Sequence, residues 1–97
     1  MRVYISGPMS DYPDYNYEAF NEAERLLKET GFVPLNPARN PQGLEYNHYM
    51  DISMAMIRAS EAVFCLDGYE NSKGALAEIA YAKSLGLQII IEKETLG

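Results

Sequence analysis

The stretch EAVFCLDGYENSKGALAEIAYAKSLGLQIII, residues 61–91, decides the fold. Ala62-Val63-Phe64-Cys65-Leu66 is a continuous apolar run, as expected of a central parallel strand covered on both faces. Asp67-Gly68 ends it. Tyr69 to Lys73 reads as a loop feeding a helix over Ser72 to Gly86, with Gly86 as terminator. Leu87 to Ile91 follows as a last buried strand. Strand, helix and strand in this order imply a parallel pair with a right-handed crossover.

The same alternation continues upstream. Arg2-Val3-Tyr4-Ile5-Ser6 is β-branched and aromatic and stops at Gly7-Pro8, through which no strand continues. Gly7 to Tyr15, with two prolines, a glycine and two aspartates, reads as a long loop of the kind that carries function. Asn16 is placed as the N-cap of a helix whose stripe is Phe20, Ala23 and Leu27 and which Gly31 closes. Phe32 to Leu35 is a short second strand, put at a sheet edge by Pro34. After an irregular Asn36 to Glu45, a helix runs from about Asn47 to Ser60. Its apolar residues wrap most of the circumference, so a second subunit is expected on its outer side. Its polar stripe is His48, Asp51 and Arg58. Glu92 to Gly97 reads as a frayed polar tail. The fold expected is α/β, a small Rossmann-like (flavodoxin-like) three-layer domain over residues 1–97, with a four- or five-stranded parallel sheet and helices on both faces.

Ninety-seven residues make one domain, and 47% hydrophobic with 23% charged residues is an ordinary globular composition. No apolar run approaches the roughly 20 residues that span a bilayer, and Met1-Arg2 leads straight into a strand, so an intracellular, cytoplasmic protein without membrane attachment is expected. The net charge of −6 argues against a nucleic-acid polymer as partner. Small anions remain compatible, because backbone N–H groups and helix N-termini bind them without a basic surface. Cys65, the one cysteine, reads as a small buried hydrophobe. His48 is the one histidine, and it has no partners at metal-site or triad spacing. Gly7-Pro8-Met9-Ser10 is neither a P-loop nor a dinucleotide fingerprint, so neither metal nor cofactor is expected.

Glu78 stands out within its helix. Its neighbours three and four positions away are Gly74, Ala75, Tyr81 and Ala82, none of which pairs with a carboxylate. It either reaches water from the edge of an apolar face or stands at the mouth of a pocket. In an open parallel sheet ligands bind beyond the carboxyl ends of the strands. Ser6 to Tyr17, Asn36 to Glu45 and Asp67 to Gly74 converge there, and Tyr4 and Glu78 can meet. Ser72-Lys73-Gly74 opens a helix and combines a hydroxyl, free N–H groups and a glycine, which suits either an ordinary N-cap or a phosphate cradle. A carboxylate, a tyrosine and a second acid are the parts needed for nucleophilic attack on an anomeric carbon.

YISGPMS (4–10), PLNP (34–37), YMDISMAMIRASEAVFCLDGYE (49–70) and SKGALAEIAYAKSLG (72–86) together resemble the nucleoside 2-deoxyribosyltransferase-like superfamily. The resemblance is strongest to its short phage and bacterial branch of unknown function, of the DUF4406 type. It implies cleavage or transfer at the N-glycosidic bond of a deoxynucleoside or its 5′-monophosphate. Glu78 matches the family's nucleophile, Tyr4 the residue that orients it, and Asp51 the acid for the base. Ser72 matches the phosphate-binding serine, and Ser6, Gly7, Met9, Ser10, Asn16 and Gly74 complete the implied substrate site. Asn71 stands nearer than Asp67 to where transferases of the family often carry an aspartate, which implies hydrolysis rather than transfer. The resemblance also implies a homodimer. A protein that binds a nucleotide or nucleotide-derived signal without turnover is the alternative.

Overall fold

Four strands, β1 (Arg2–Ser6), β2 (Val33–Leu35), β3 (Ala62–Cys65) and β4 (Gln88–Ile91), pair in the order β2-β1-β3-β4, every pair parallel. The structure is a computed structural model describing the backbone of residues 1–96 and the side chains of residues 1–94. Helices α1 (Tyr17–Glu29), α2 (Tyr46–Arg58) and α3 (Lys73–Ser84) connect successive strands, and a short α4 (Glu92–Leu96) follows β4. The result is the expected α/β fold. Pro34 lies on the edge strand β2, where its missing N–H costs no ladder bond.

The period of two along β1 divides the core. Val3 and Ile5 face α1 and join Phe20, Ala23, Leu27 and Phe64. Tyr4 points to the opposite face, where Ile57 of α2, Val63 of β3, and Ile79 and Ala82 of α3 cover it. The stripe predicted on α1 is thus the buried one. Its buried Glu24 at the edge accepts from Arg39 and Asn36 and so ties the segment after β2 to α1. Gly7 follows β1 closely against the end of β3, where a Cβ would meet Leu66 Cβ at 2.7 Å.

Several boundaries differ from expectation. Phe32 and Leu66 fall just outside their strands, and β4 is half-buried because it forms the second sheet edge. The segment read as a frayed tail starts helix α4, whose Glu92 accepts from the Asp67 N–H at 3.0 Å. Asn16 precedes α1 but does not cap it. It sits at φ 62° in the left-handed region, and its side chain donates instead to the Pro8 carbonyl at 2.9 Å. In α2, Ser53 and Ile57 are buried while Met50, Ile52, Met54 and Met56 are half-buried, packed on one side against α3. Among the described residues no helix is long and apolar enough to cross a membrane.

Candidate functional site

At the carboxyl end of β1 the alternation sets Tyr4 and Ser6 on the face covered by α2 and α3. On α3 the buried positions Ala75, Glu78, Ile79 and Ala82 recur at three- and four-residue spacing, which brings Glu78 onto the sheet side. The two patterns meet. Glu78, only 8% exposed, accepts from Ser6 Oγ at 2.7 Å through Oε1 and from the Tyr4 hydroxyl at 2.8 Å through Oε2. Ser53 Oγ of α2 lies 3.1 Å from the same phenol oxygen. A phenol has one proton; with it on Glu78, Ser53 donates to Tyr4.

Burial raises the Glu78 carboxyl above its usual range, opposed by the hydrogen bonds from Ser6 and Tyr4 that favour the charged form. Burial and the nearby Glu78 charge push the Tyr4 phenol well above its own, so it remains a donor at any physiological pH. The two groups reinforce one another, since the proton Tyr4 keeps is the one Glu78 accepts.

Tyr4 and Glu78 line a cleft of about 920 Å³, at the upper end of the roughly 300–1,000 Å³ usual for small-molecule sites. Gly7 to Ser10 and Ser72 to Ala75 contribute further wall, as do Asn40 to Leu44 with Tyr17, Tyr46 and Tyr49. Ser72 is the N-cap of α3: its Oγ accepts from the Ala75 N–H at 3.1 Å, which leaves its own proton free to donate outward. Lys73 stands exposed beside it, and Gly74 has open space where a Cβ would be. A second cleft of about 540 Å³ shares Tyr12 and Asn71 with the first and has Asp67, Glu70, Glu92 and Lys93 in its wall, but not Glu78. Tyr12 reaches across to Gly68, whose φ of 89° and bare Cα accept the phenol oxygen 2.9 Å from where a Cβ would stand.

Of the residues singled out from the sequence, Tyr4, Ser6, Gly7, Met9, Ser10, Ser72, Gly74 and Glu78 gather around this cleft. Two do not. Asn16 lies in the wall of the second cleft. Asp51 is exposed and outside the Glu78 cleft, because two positions along a helix turn it roughly 200° from Ser53, the α2 residue that faces inward. Ser53, not Asp51, is the α2 side chain that the structure brings to Tyr4. Ser53 was missed, although a small polar residue four positions before the core-facing Ile57 signals a polar partner on the same stripe. Tyr17, Tyr49, Asn40 and Gln42 were also missed as individual wall residues. Cys65 is buried and its thiol is pushed up to about 12 by burial, so it is a packing residue. Among the described residues no group of three or more His, Cys, Asp or Glu side chains could hold a metal.

This chain belongs to the DUF4406 family, a domain of unknown function whose profile matches residues 1–91. No curated protein matches it. Among solved structures it resembles a 2-deoxyribosyltransferase from Leishmania mexicana, with 28% identity and a TM-score of 0.75 over 93% of this chain and 62% of the other. The chain thus spans less than two thirds of that protein. A 2-deoxyribosyltransferase from Bacillus psychrosaccharolyticus is 15% identical, with a TM-score of 0.74 over 94% of this chain and 71% of the other. A CMP N-glycosidase from Clostridium botulinum is 18% identical, with a TM-score of 0.67 over 100% and 75%. These last two likenesses establish the shared fold.

Proposed function

We propose that this protein cleaves the N-glycosidic bond of a deoxynucleoside or deoxynucleoside 5′-monophosphate, with Glu78 as nucleophile at C1′. The observation that carries this reading is the buried Glu78 carboxylate, fixed by Ser6 and Tyr4 in the cleft beyond β1. Each carboxylate oxygen accepts one hydroxyl and keeps a further lone pair for carbon. Its raised pKa makes the charged form more basic, and the displaced base leaves a glycosyl ester that water resolves. The structural likeness to deoxyribosyltransferases and a CMP N-glycosidase supports the substrate class. Tyr4 orients the nucleophile. Ser72 and the first N–H groups of α3, with Lys73 beside them, suit a 5′-phosphate. Asn71 stands in the cleft wall just before α3, near where the resemblance implies an aspartate in transferases, and this departure supports hydrolysis over transfer.

Incubating the protein at high concentration with each deoxynucleoside and each 5′-monophosphate, and following free base, tests this directly. Release is expected from at least one, and lost in Glu78→Gln. No release from any of them overturns the reading. Asp51, exposed outside the cleft, favours a second reading as a nucleotide-binding protein without turnover; tight binding by the wild-type protein with no base release is its signature.

A further inference from the structure

The Glu78 cleft offers neutral groups on one side. β2 and β3 flank β1 and are therefore about 10 Å apart, so the segment after β2 and the first turn of α3 lie on opposite sides of Tyr4. With phosphate at Ser72 to Gly74, the base falls on the β2 side. The wall there is built from the amides Asn40 and Gln42 and the phenols Tyr17 and Tyr49. Gln42 Nε2 donates to the Tyr17 hydroxyl at 3.3 Å, which leaves the Tyr17 proton and the second Gln42 N–H to donate to a base, while the Tyr49 hydroxyl spends its proton on the Pro41 carbonyl and holds the loop in place. On α2 the side chain that meets Tyr4 is the hydroxyl of Ser53. Among the described residues the cleft's other carboxylate, Asp11, is exposed to solvent.

Such a wall selects its leaving group. When C1′–N breaks, the electron pair goes to the base. A purine departs readily once an acid has protonated N7, which calls for a carboxylic acid held in contact with it. A pyrimidine-2,4-dione spreads the pair over N1, O2 and O4, and amide N–H and phenol O–H donors are sufficient to stabilise it.

We infer, resting on the glycosidase reading above, that the cleft prefers nucleotides of a pyrimidine-2,4-dione base (uracil or thymine type) and holds the departing base as its anion by neutral donors on the β2 side. A Glu78 oxygen bonds to C1′ as C1′–N1 breaks with its pair on N1. Water then replaces Glu78 at C1′, regenerating the carboxylate, and the proton that water loses ends on the base. The sum is nucleotide plus water giving sugar phosphate plus free base.

The test is kcat/KM for base release from dUMP, dTMP, dCMP, dAMP and dGMP by the wild-type protein. dUMP and dTMP are expected to exceed the other three by at least about tenfold, roughly 1.4 kcal/mol at the transition state. Ser53→Asp, which sets a carboxylic acid beside Tyr4, is expected to raise dAMP and dGMP relative to dUMP by about tenfold or more. The wild-type ratios decide the matter if that variant does not fold. A purine or cytosine nucleotide cleaved as fast as dUMP overturns the preference and leaves the glycosidase reading standing. No release from any nucleotide overturns both.

Discussion

Tyr4 and Glu78, 74 positions apart in the chain, share a 2.8 Å hydrogen bond inside the core. It exists because the inward side of β1 and the buried stripe of α3 meet on one sheet face. The bond favours the charged carboxylate against burial, which alone raises its pKa. Tyr4→Phe removes the donor while keeping the ring. Glu78 then ionises at still higher pH, so the acid limb of the pH–rate profile moves up. Neutral-pH kcat is expected to fall by roughly 10–100-fold. A profile that keeps both its limb and its height in the variant would show that Tyr4 only fills space.

Glu78 also bears on stability. Its folded pKa lies above the unfolded value, so between the two the native state binds more protons than the unfolded chain. Stability therefore falls as pH rises from the ordinary carboxylate range through the raised folded pKa, and it stays reduced above it. Glu78→Gln removes the charge in place. At neutral pH it is expected to be more stable than wild type by on the order of 1 kcal/mol, a Tm gain of roughly 4–8 °C for a domain this size. The gain should shrink toward pH 4. Thermal melts of both proteins across pH check it; a less stable variant at pH 7 would mean that the hydrogen bonds outweigh desolvation.

The sheet was legible in the sequence because its information is local: β-branched runs broken by Gly7, Gly31, Asp67 and Gly86, and a proline that only an edge strand accepts. Glu78 and Ser72 were legible for the same reason, one lacking helical partners and the other standing where a cap is needed. Asp51 and Asn16 lie off the Glu78 cleft for a different reason. α2 is apolar around most of its circumference, so periodicity could not say which side faces the sheet, and the charged residue drew attention that belonged to Ser53. Asn16 looked like a cap by type. The backbone instead enters α1 through Asp14, Tyr15 and Asn16, all at positive φ, and that geometry directs its amide back to Pro8. The walls from Tyr17 and Asn40 to Tyr49 depend on how two loops fold over the cleft, which no local pattern encodes.

Ser72 serves the helix and, in the proposed function, the phosphate. Ser72→Ala loses the bond to the Ala75 N–H and should cost about 1 kcal/mol of stability. That loss is common to all substrates. The distinguishing result is in kinetics: kcat/KM for 5′-monophosphates should fall by roughly tenfold or more while that for the matching nucleosides changes little. Equal loss on both would remove Ser72 from the phosphate site.

Arg39 holds the segment after β2 through Glu24. The Arg39 hydrogen bond, more than Asn36, lowers the Glu24 carboxyl to about 2. A depressed carboxylate stabilises the fold above its unfolded pKa, and the contribution disappears as pH falls through about 2. Because Arg39 is largely exposed and its charge is screened by solvent, Arg39→Ala should lower stability only slightly at pH 7. The difference from wild type should close as pH approaches 2. Urea titrations of both proteins at pH 7, 4 and 2.5 measure it, and a constant difference would assign the loss to packing instead of charge.

Tyr49 fastens the loop that carries Gln42. Its hydroxyl donates to the Pro41 carbonyl at 2.9 Å and accepts from the Leu44 N–H at 3.2 Å, closing a bracket around Gln42 and Gly43. Gly43 needs the left-handed φ of 88° to make the turn, and the loop's other side-chain tie is the Gln42 bond to Tyr17. Tyr49→Phe keeps the half-buried ring and removes both bonds. Stability should drop by no more than about 1 kcal/mol, since the freed groups can reach water. In the proposed function this loop carries Gln42, one of the donors that steady the departing base, so its loosening should lower kcat several-fold and kcat/KM with it, the pattern of an interaction made in the transition state. Steady-state kinetics on the best nucleotide separate the two constants. A rise in KM at constant kcat would mean instead that the Tyr49 bracket serves binding common to ground and transition states and not the departing base.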